Sequence, residues 1–317
     1  MKLRYLLILL IILSITSLFV GVSSLSILNI FNLSEYEMQI LMASRIPRLV
    51  SILIAGAGIS ICGLIMQQLT RNKFVSPTTA GTMDAARLGI LISILLFGAA
   101  GLLQQLIFAF GFALLGTYVF MKILDKIRFQ DTIFIPLVGL MFGSILSSIS
   151  TFFAYQFDLI QSISSFLHGD FSLIIRGQYE LLYVAVPVIA LTYFYADRFT
   201  VAGMGEDFAK NLGLNYRQVV NIGLMLVALV TASVVLTVGV IPFLGLIIPN
   251  IVSIYQGDNI KKNLSHTAVL GAVFVLACDI IGRLIIYPYE VSISLTVGIL
   301  GSAIFIYLLM RRQKHGI

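Results

Sequence analysis

Charge is scarce in this chain. Only 11% of its 317 residues are Asp, Glu, Lys or Arg, whereas 59% are hydrophobic. A soluble domain carries about 25% charged and about 45–50% apolar residues. There is too little charge here to cover a surface in water, which excludes a soluble enzyme. Disorder is excluded as well, since it needs low hydrophobicity and high net charge. Cysteine is nearly missing: Cys62 and Cys278 both sit in apolar stretches. Their spacing fits no metal or redox motif, so they read as small buried hydrophobes. No Gly-Lys pair occurs, so the chain has no P-loop for a nucleotide. There is no His-Glu-x-x-His and no nucleophile elbow. The three histidines, His168, His266 and His315, are scattered over predicted loops and ends. No residue is a candidate for catalysis, for a metal or for a cofactor of the chain's own.

Apolar runs are what the chain does have, with a mean hydropathy of +1.04. A helical span takes about 20 apolar residues. Stretches of that kind cover Met1–Val22, Leu49–Leu69, Thr79–Ala100, Leu102–Ile123, Thr132–Tyr155, Tyr179–Ala196, Val219–Val240, Phe243–Tyr255, Thr267–Tyr287 and Val291–Met310. The first follows Lys2 and Arg4, reaches span length and ends in no clear Ala-x-Ala site, so it reads as a retained helix rather than a signal peptide. The stretch Phe243–Tyr255 is short and carries Pro249. The expected fold is an all-α polytopic membrane protein of about ten transmembrane helices, residues 1–317 forming a single domain. Basic residues concentrate on the cytoplasmic side of membrane proteins. With both termini inside, only Arg45, Arg48, Arg87, Arg176 and Arg283 of the 20 Lys and Arg fall elsewhere than in inner segments. One missed span would invert every later loop, so this bias supports the count.

Two breaks stand at matching places. Arg71–Pro77 follows the second stretch and Ile241–Pro249 follows the seventh. An odd number of spans separates them, which predicts two halves in opposite orientation, the inverted internal repeat of many transporters. Segments rich in small residues, such as Ala55–Gly58, Gly139–Ser150 and Gly298–Ser302, allow close helix packing and movement.

The firmly charged groups within spans are Asp84, Arg87, Asp279 and Arg283. Asp84 and Arg87 are three apart, Asp279 and Arg283 four apart, and each spacing puts both groups on one helix face. They read as neutralised intramembrane pairs rather than as a proton relay, which weakens the alternative of an ion- or proton-coupled secondary transporter acting alone. Arg45, Arg48 and Arg283 lie at outer span ends, against the charge bias. Either they snorkel to lipid phosphates or they form a basic cluster that docks an acidic surface. The polar segment 197–218 is predicted to hold a short inner helix. Glu206 and Asp207 open it, as the helix dipole favours, and Gly213 closes it. Phe208 and Leu212, four apart, give it a small apolar face that needs either a partner or the lipid interface.

Several motifs resemble those of one family. They are Arg45-Ile46-Pro47-Arg48, Ala55-Gly56-Ala57, Cys62-Gly63 through Gln68, and Arg71-Asn72 with Ser76-Pro77. Further along come Gly203-Met204-Gly205-Glu206-Asp207 with Leu212-Gly213, Gly239–Asn250, Gly271-Ala272, Asp279, Arg283, Glu290, and Gly298 with Gly301. In this order they resemble the FecCD/BtuC permeases, the membrane subunits of iron-siderophore and vitamin B12 ABC importers. Asn72-Lys73-Phe74-Val75, Pro249-Asn250-Ile251-Val252-Ser253 and Gly81–Arg87 are similar to a Gram-positive subgroup that takes catecholate, petrobactin-type siderophores. The resemblance implies a plasma-membrane permease that contains no cofactor and relies on separate ABC ATPase subunits for ATP. It implies a second, related permease chain and an extracellular substrate-binding lipoprotein. It assigns ATPase coupling to Gly205, Glu206, Asp207, Phe208, Leu212 and Gly213. It assigns binding-protein docking to Arg45, Arg48 and Arg283.

Overall fold

A computed structural model describes residues 2–21, 34–98, 100–126 and 134–315. Helices account for most of them: α1 (Leu3–Phe19), α2 (Glu35–Ile40), α3 (Ile46–Leu69), α4 (Thr82–Phe97), α5 (Leu102–Lys126), α6 (Phe134–Gln156), α7 (Ile160–Leu167), α8 (Ala185–Ala202), α9 (Glu206–Asn211), α10 (Tyr216–Thr237), α11 (Leu244–Gln256), α12 (Ile260–Ile285) and α13 (Ile293–His315). No strand occurs among the described residues, where pairing is limited to one isolated bridge, Ile286 with Tyr289. Six helical runs are long and apolar enough to cross a membrane, while α1, α11 and residues 293–308 are shorter apolar helices. Every apolar stretch expected from sequence falls on a helix, with ends that move by a few residues. Arg128, one of the basic residues behind the charge bias, lies outside the described residues, as do the side chains of Arg311, Arg312 and Lys314.

The largest departure precedes α3. The expected stretch starts at Leu49, yet one continuous helical run covers Glu35–Leu69. It is nucleated by a capping box: the Ser34 hydroxyl accepts from the Glu37 backbone N–H, and the Glu37 carboxylate accepts from the Ser34 N–H at 2.8 Å. Pro47 would ordinarily break such a run, because it has no N–H to offer the carbonyl four residues back. Here a π-turn over Leu41–Arg45 absorbs the disruption. The Ala43 carbonyl takes the backbone N–H of Arg176 at 3.0 Å instead. The short helix α7 also went unforeseen.

At the centre lie α3 and α10, in contact with each other. The pairing around them is reciprocal: α3 packs on α11 and α12, and α10 packs on α4 and α5. Glycines permit the closest of these approaches. A Cβ at Gly56 would lie 2.9 Å from the Ala272 Cα on α12, and one at Gly63 would overlap the Gly245 carbonyl on α11.

The first expected break is present and the second is shorter than expected, since Leu244–Pro249 already belong to α11; backbone groups in both are served by side chains, as an apolar surrounding demands. In the first, Ser76 N–H donates to Thr79 Oγ1 at 2.9 Å and Phe74 N–H to Asn72 Oδ1 at 2.8 Å. Gly81, in the left-handed conformation, then starts α4. In the second, Ser294 Oγ donates to the Val240 carbonyl at 2.6 Å, and Phe243 takes a left-handed conformation before α11. Asn250 ties α11 to the first break by donating from Nδ2 to the Lys73 carbonyl as well as to the Leu246 carbonyl of its own helix, each at 2.7 Å. Pro249 lies inside α11 without ending it.

Replacing Gly63 by Val should force α3 away from α11. Unfolding in detergent should show a loss of about 1–3 kcal/mol or more. Gly111→Ala is the control, since a Cβ there meets nothing within 4 Å; it should leave stability unchanged or slightly raised.

Candidate functional site

Two groups of residues stand out, one at each end of the bundle. The first gathers Arg45, Arg48, Asp279, Arg283 and Glu290. Arg48 donates to Asp279 Oδ1 from Nη2 at 2.7 Å and from Nε at 3.2 Å, and to Glu290 Oε2 at 2.6 Å. Arg283 pairs with the other Asp279 oxygen, Oδ2, as the four-residue spacing predicts. Arg283 Nη1 also donates to the carbonyls of Ser17 at 2.9 Å and Val20 at 2.8 Å, while Arg45 Nη1 donates to the Leu18 carbonyl. Those carbonyls belong to the last turn of α1, where a helix has no partners of its own for them. The arginines therefore cap α1, and their charge suits the negative end of its dipole.

The structure thus brings the three expected docking arginines together but does not present them alike. Arg45 and Arg283 are buried, at 8% and 5% exposure. Arg48 and Glu290 form the more open edge, their side chains 12% and 25% exposed. Sequence reasoning missed the capping role because nothing in a linear chain tells that the end of the first helix meets two arginines far downstream.

The second group lies at the opposite end, around α9. Gly205, with φ of 115°, precedes the helix, and Glu206 and Asp207 fill its first turn. Its end is a Schellman closure. The Gly213 N–H donates to the Lys210 carbonyl and the Leu214 N–H to the Ala209 carbonyl, each at 2.9 Å, and Gly213 has φ of 77°. Lys210 pairs with Glu206 at 2.8 Å and holds its carboxyl below the usual glutamate range. Ala209 is buried beneath, whereas Met204, Phe208 and Leu212 are exposed at 58%, 49% and 62%. Met204, absent from the expected coupling set, extends the apolar stripe of Phe208 and Leu212. Beside α9 opens a cavity of about 460 Å³ lined by Gln67, Arg71, Lys73, Thr200, Met204 and Asp258 among others.

The remaining intramembrane pair is looser. Arg87 Nη2 stands 3.8 Å from Asp84 Oδ1 and donates to Ser147 Oγ of α6 at 2.6 Å. Asp84 and Arg87 thus face a neighbouring helix, α6. Among the described residues no group of His, Cys, Asp and Glu could hold a metal ion.

Comparisons with known proteins agree along the whole chain. The profile of the FecCD transport family matches residues 8–311. The chain is 65% identical to the petrobactin import system permease protein YclN of Bacillus subtilis, over 99% of this chain and 100% of that one. It is 42% identical to the ferric-anguibactin transport system permease protein FatD of Vibrio anguillarum, over 94% and 95%. Among solved structures, a metal-chelate type ABC transporter in an inward-facing conformation superposes with a TM-score of 0.83 at 24% identity, covering 98% of both chains.

Asp279 is the carboxylate shared by Arg48 and Arg283. Asp279→Asn leaves both guanidinium groups short of their counter-charge inside the protein. Breaking a buried charge network in this way costs about 3–5 kcal/mol. Asp258→Asn, at an exposed pair with Lys73, should cost less than about 1 kcal/mol. Denaturation of both variants in detergent measures the contrast.

Proposed function

Because the chain belongs to the FecCD transport family, we propose that it is the membrane-spanning permease of an ABC importer that carries a ferric siderophore, petrobactin or a close chemical relative, into the cell. The observation that carries this is the agreement with a petrobactin import permease from end to end. Iron arrives inside its chelator, as cargo, and the chain needs no catalytic group of its own. The energy comes from ATP hydrolysed on separate subunits, consistent with the lack of a P-loop.

In this reading the residues 1–317 form one permease domain in the plasma membrane of a Gram-positive bacterium. Ten helices span the bilayer: α1, α3, α4, α5, α6, α8, α10, α11, α12 and α13, with both termini inside. The reciprocal packing of α3 and α10 supports an inverted repeat. The inner end then carries α9, and the stripe Met204, Phe208 and Leu212 seats in a groove of the ATPase. Large apolar side chains left open on a capped, anchored helix favour a protein partner over lipid, because Glu206, Asp207 and Lys210 flank them. A second, related permease chain completes the pathway. At the outer end an acidic lipoprotein delivers the siderophore to the cluster of Arg45, Arg48 and Arg283. Arg48 makes the contact, while Arg45 and Arg283 hold the end of α1 in place.

Expression in a Bacillus strain lacking its petrobactin permease, with uptake of ferric petrobactin measured, tests the function. Restored uptake that disappears when the ATPase is inactivated is expected. Uptake that persists without the ATPase would mean a transporter driven by an ion gradient, and no uptake would reject petrobactin as cargo. Phe208→Asp should abolish uptake and ATPase attachment while the unfolding midpoint in detergent stays put, since Phe208 is half exposed. Arg48→Glu should weaken binding-protein affinity by about tenfold or more, equivalent to about 1.4 kcal/mol, and flatten its dependence on salt. Unchanged affinity and salt slope would remove Arg48 from the docking surface.

A further inference from the structure

The helix α6 has three faces, and one of them is unexpected for a helix in lipid. Gly139, Gly143, Ser150 and Ala154 are buried against the bundle. Met141, Ile145 and Phe152 are exposed and apolar, as lipid requires. Between these faces runs a stripe of hydroxyls: Ser144, Ser147, Ser148, Thr151 and Tyr155. Their spacing of three or four residues puts them on one side of the helix, and no apolar residue interrupts them there. All are exposed but Ser147, which is half-buried.

Three of them are quieted in the way usual for hydroxyls in a membrane helix. Ser144, Ser148 and Thr151 donate to the carbonyls of Leu140, Ser144 and Ser147 at 2.8 to 2.9 Å. Ser147 differs. Its oxygen accepts from the Arg87 guanidinium at 2.6 Å, and its own proton has no acceptor among the described residues. Arg87 is itself under-satisfied. It is 95% buried by its 5% exposure, its Nε has no partner, and Asp84 lies too far for a hydrogen bond. A hydroxyl that accepts from a cation becomes a stronger donor. A buried charge so thinly neutralised is costly unless something anionic approaches it.

We propose that the hydroxyl stripe of α6 lines the aqueous path and that Ser147, polarised by Arg87, is the donor that contacts an anionic, oxygen-rich metal chelate as it passes. This rests on the importer reading above and adds a specificity-determining residue to it. One donor among neutral hydroxyls suits a path, where contact must be weak enough for release. Ser147 is the contact, and Arg87 is the positioning residue behind it.

The test uses the complete importer in proteoliposomes. Ser148→Cys should react with a charged, water-soluble thiol reagent and Ile145→Cys should not. Background is low because Cys62 and Cys278 are buried. Ferric petrobactin delivered with ATP should slow the labelling of Ser148→Cys. Ser147→Ala should lower ferric petrobactin uptake by about tenfold, as expected for one charge-assisted hydrogen bond, and Ser147→Thr should restore it. Absence of labelling in Ser148→Cys overturns the proposal, since lipid or the second permease would then cover the stripe. Equal uptake by Ser147→Ala and the unaltered chain overturns it too. Labelling reads independently of transport: a stripe open to the reagent in an importer that moves no ferric petrobactin would overturn the cargo assignment and leave the aqueous stripe standing.

Discussion

The main departures from simple helical spans among the described residues answer one constraint: a backbone N–H or C=O out of reach of water must find a partner within the protein. The two breaks exist because Asn72, Ser76, Thr79 and Asn250 supply partners to the chain in the first, and Ser294 supplies one to the Val240 carbonyl in the second. The run from Glu35 tolerates Pro47 because Arg176 takes up the freed Ala43 carbonyl. The last turn of α1 can end inside the bundle because Arg45 and Arg283 receive its carbonyls. Side chains that a sequence shows as polar intrusions are the means by which irregular backbone is admitted.

This also explains which parts were legible beforehand. Apolar length and charge bias are summed over whole stretches, so the helices emerged in nearly correct positions. The short α9 was legible for a different reason, since its caps are local: Glu206 and Asp207 at the start and Gly213 at the end act within a few residues. The arginines were legible in position but not in role. Arg283 meets Ser17 across most of the chain, and no local pattern encodes that meeting. The start of the helical run at Glu35 was missed because Glu35 and Glu37 interrupt hydrophobicity while Glu37 completes a capping box with Ser34, so polarity and helix formation pulled in opposite directions. The hydroxyl stripe of α6 was visible only as a run of small residues, because exposure separates its faces and sequence does not.

The two ends of the molecule differ in how their charges are held. At the end with Asp279, charges lock to one another and to backbone inside the protein, with little solvent to screen them. That end is stiff, and it fixes α1, α3 and α12 together. At the end with α9, the pairs Lys210–Glu206, Lys261–Asp197 and Lys73–Asp258 are more exposed. Exposed pairs contribute little and exchange readily with water. Motion is therefore easier to impose at the α9 end than at the other.

A helix of six residues cannot be stable by itself, because nucleation costs more than so few hydrogen bonds return. The shape of α9 must come from what holds it. Gly205 and Gly213 set the chain at both ends, and buried Ala209 anchors it against α8 and α10. Held in this way, α9 has little freedom to melt or slide alone when something pushes on its exposed stripe. The push passes to α10, which resists compression along its axis and packs on α3, α4 and α5. The far end of α10 runs through Gly239 into the second break and α11, where the left-handed Phe243 forms the joint. A small displacement at α9 would thus reach a segment, 238–243, where the backbone is not helical and can turn.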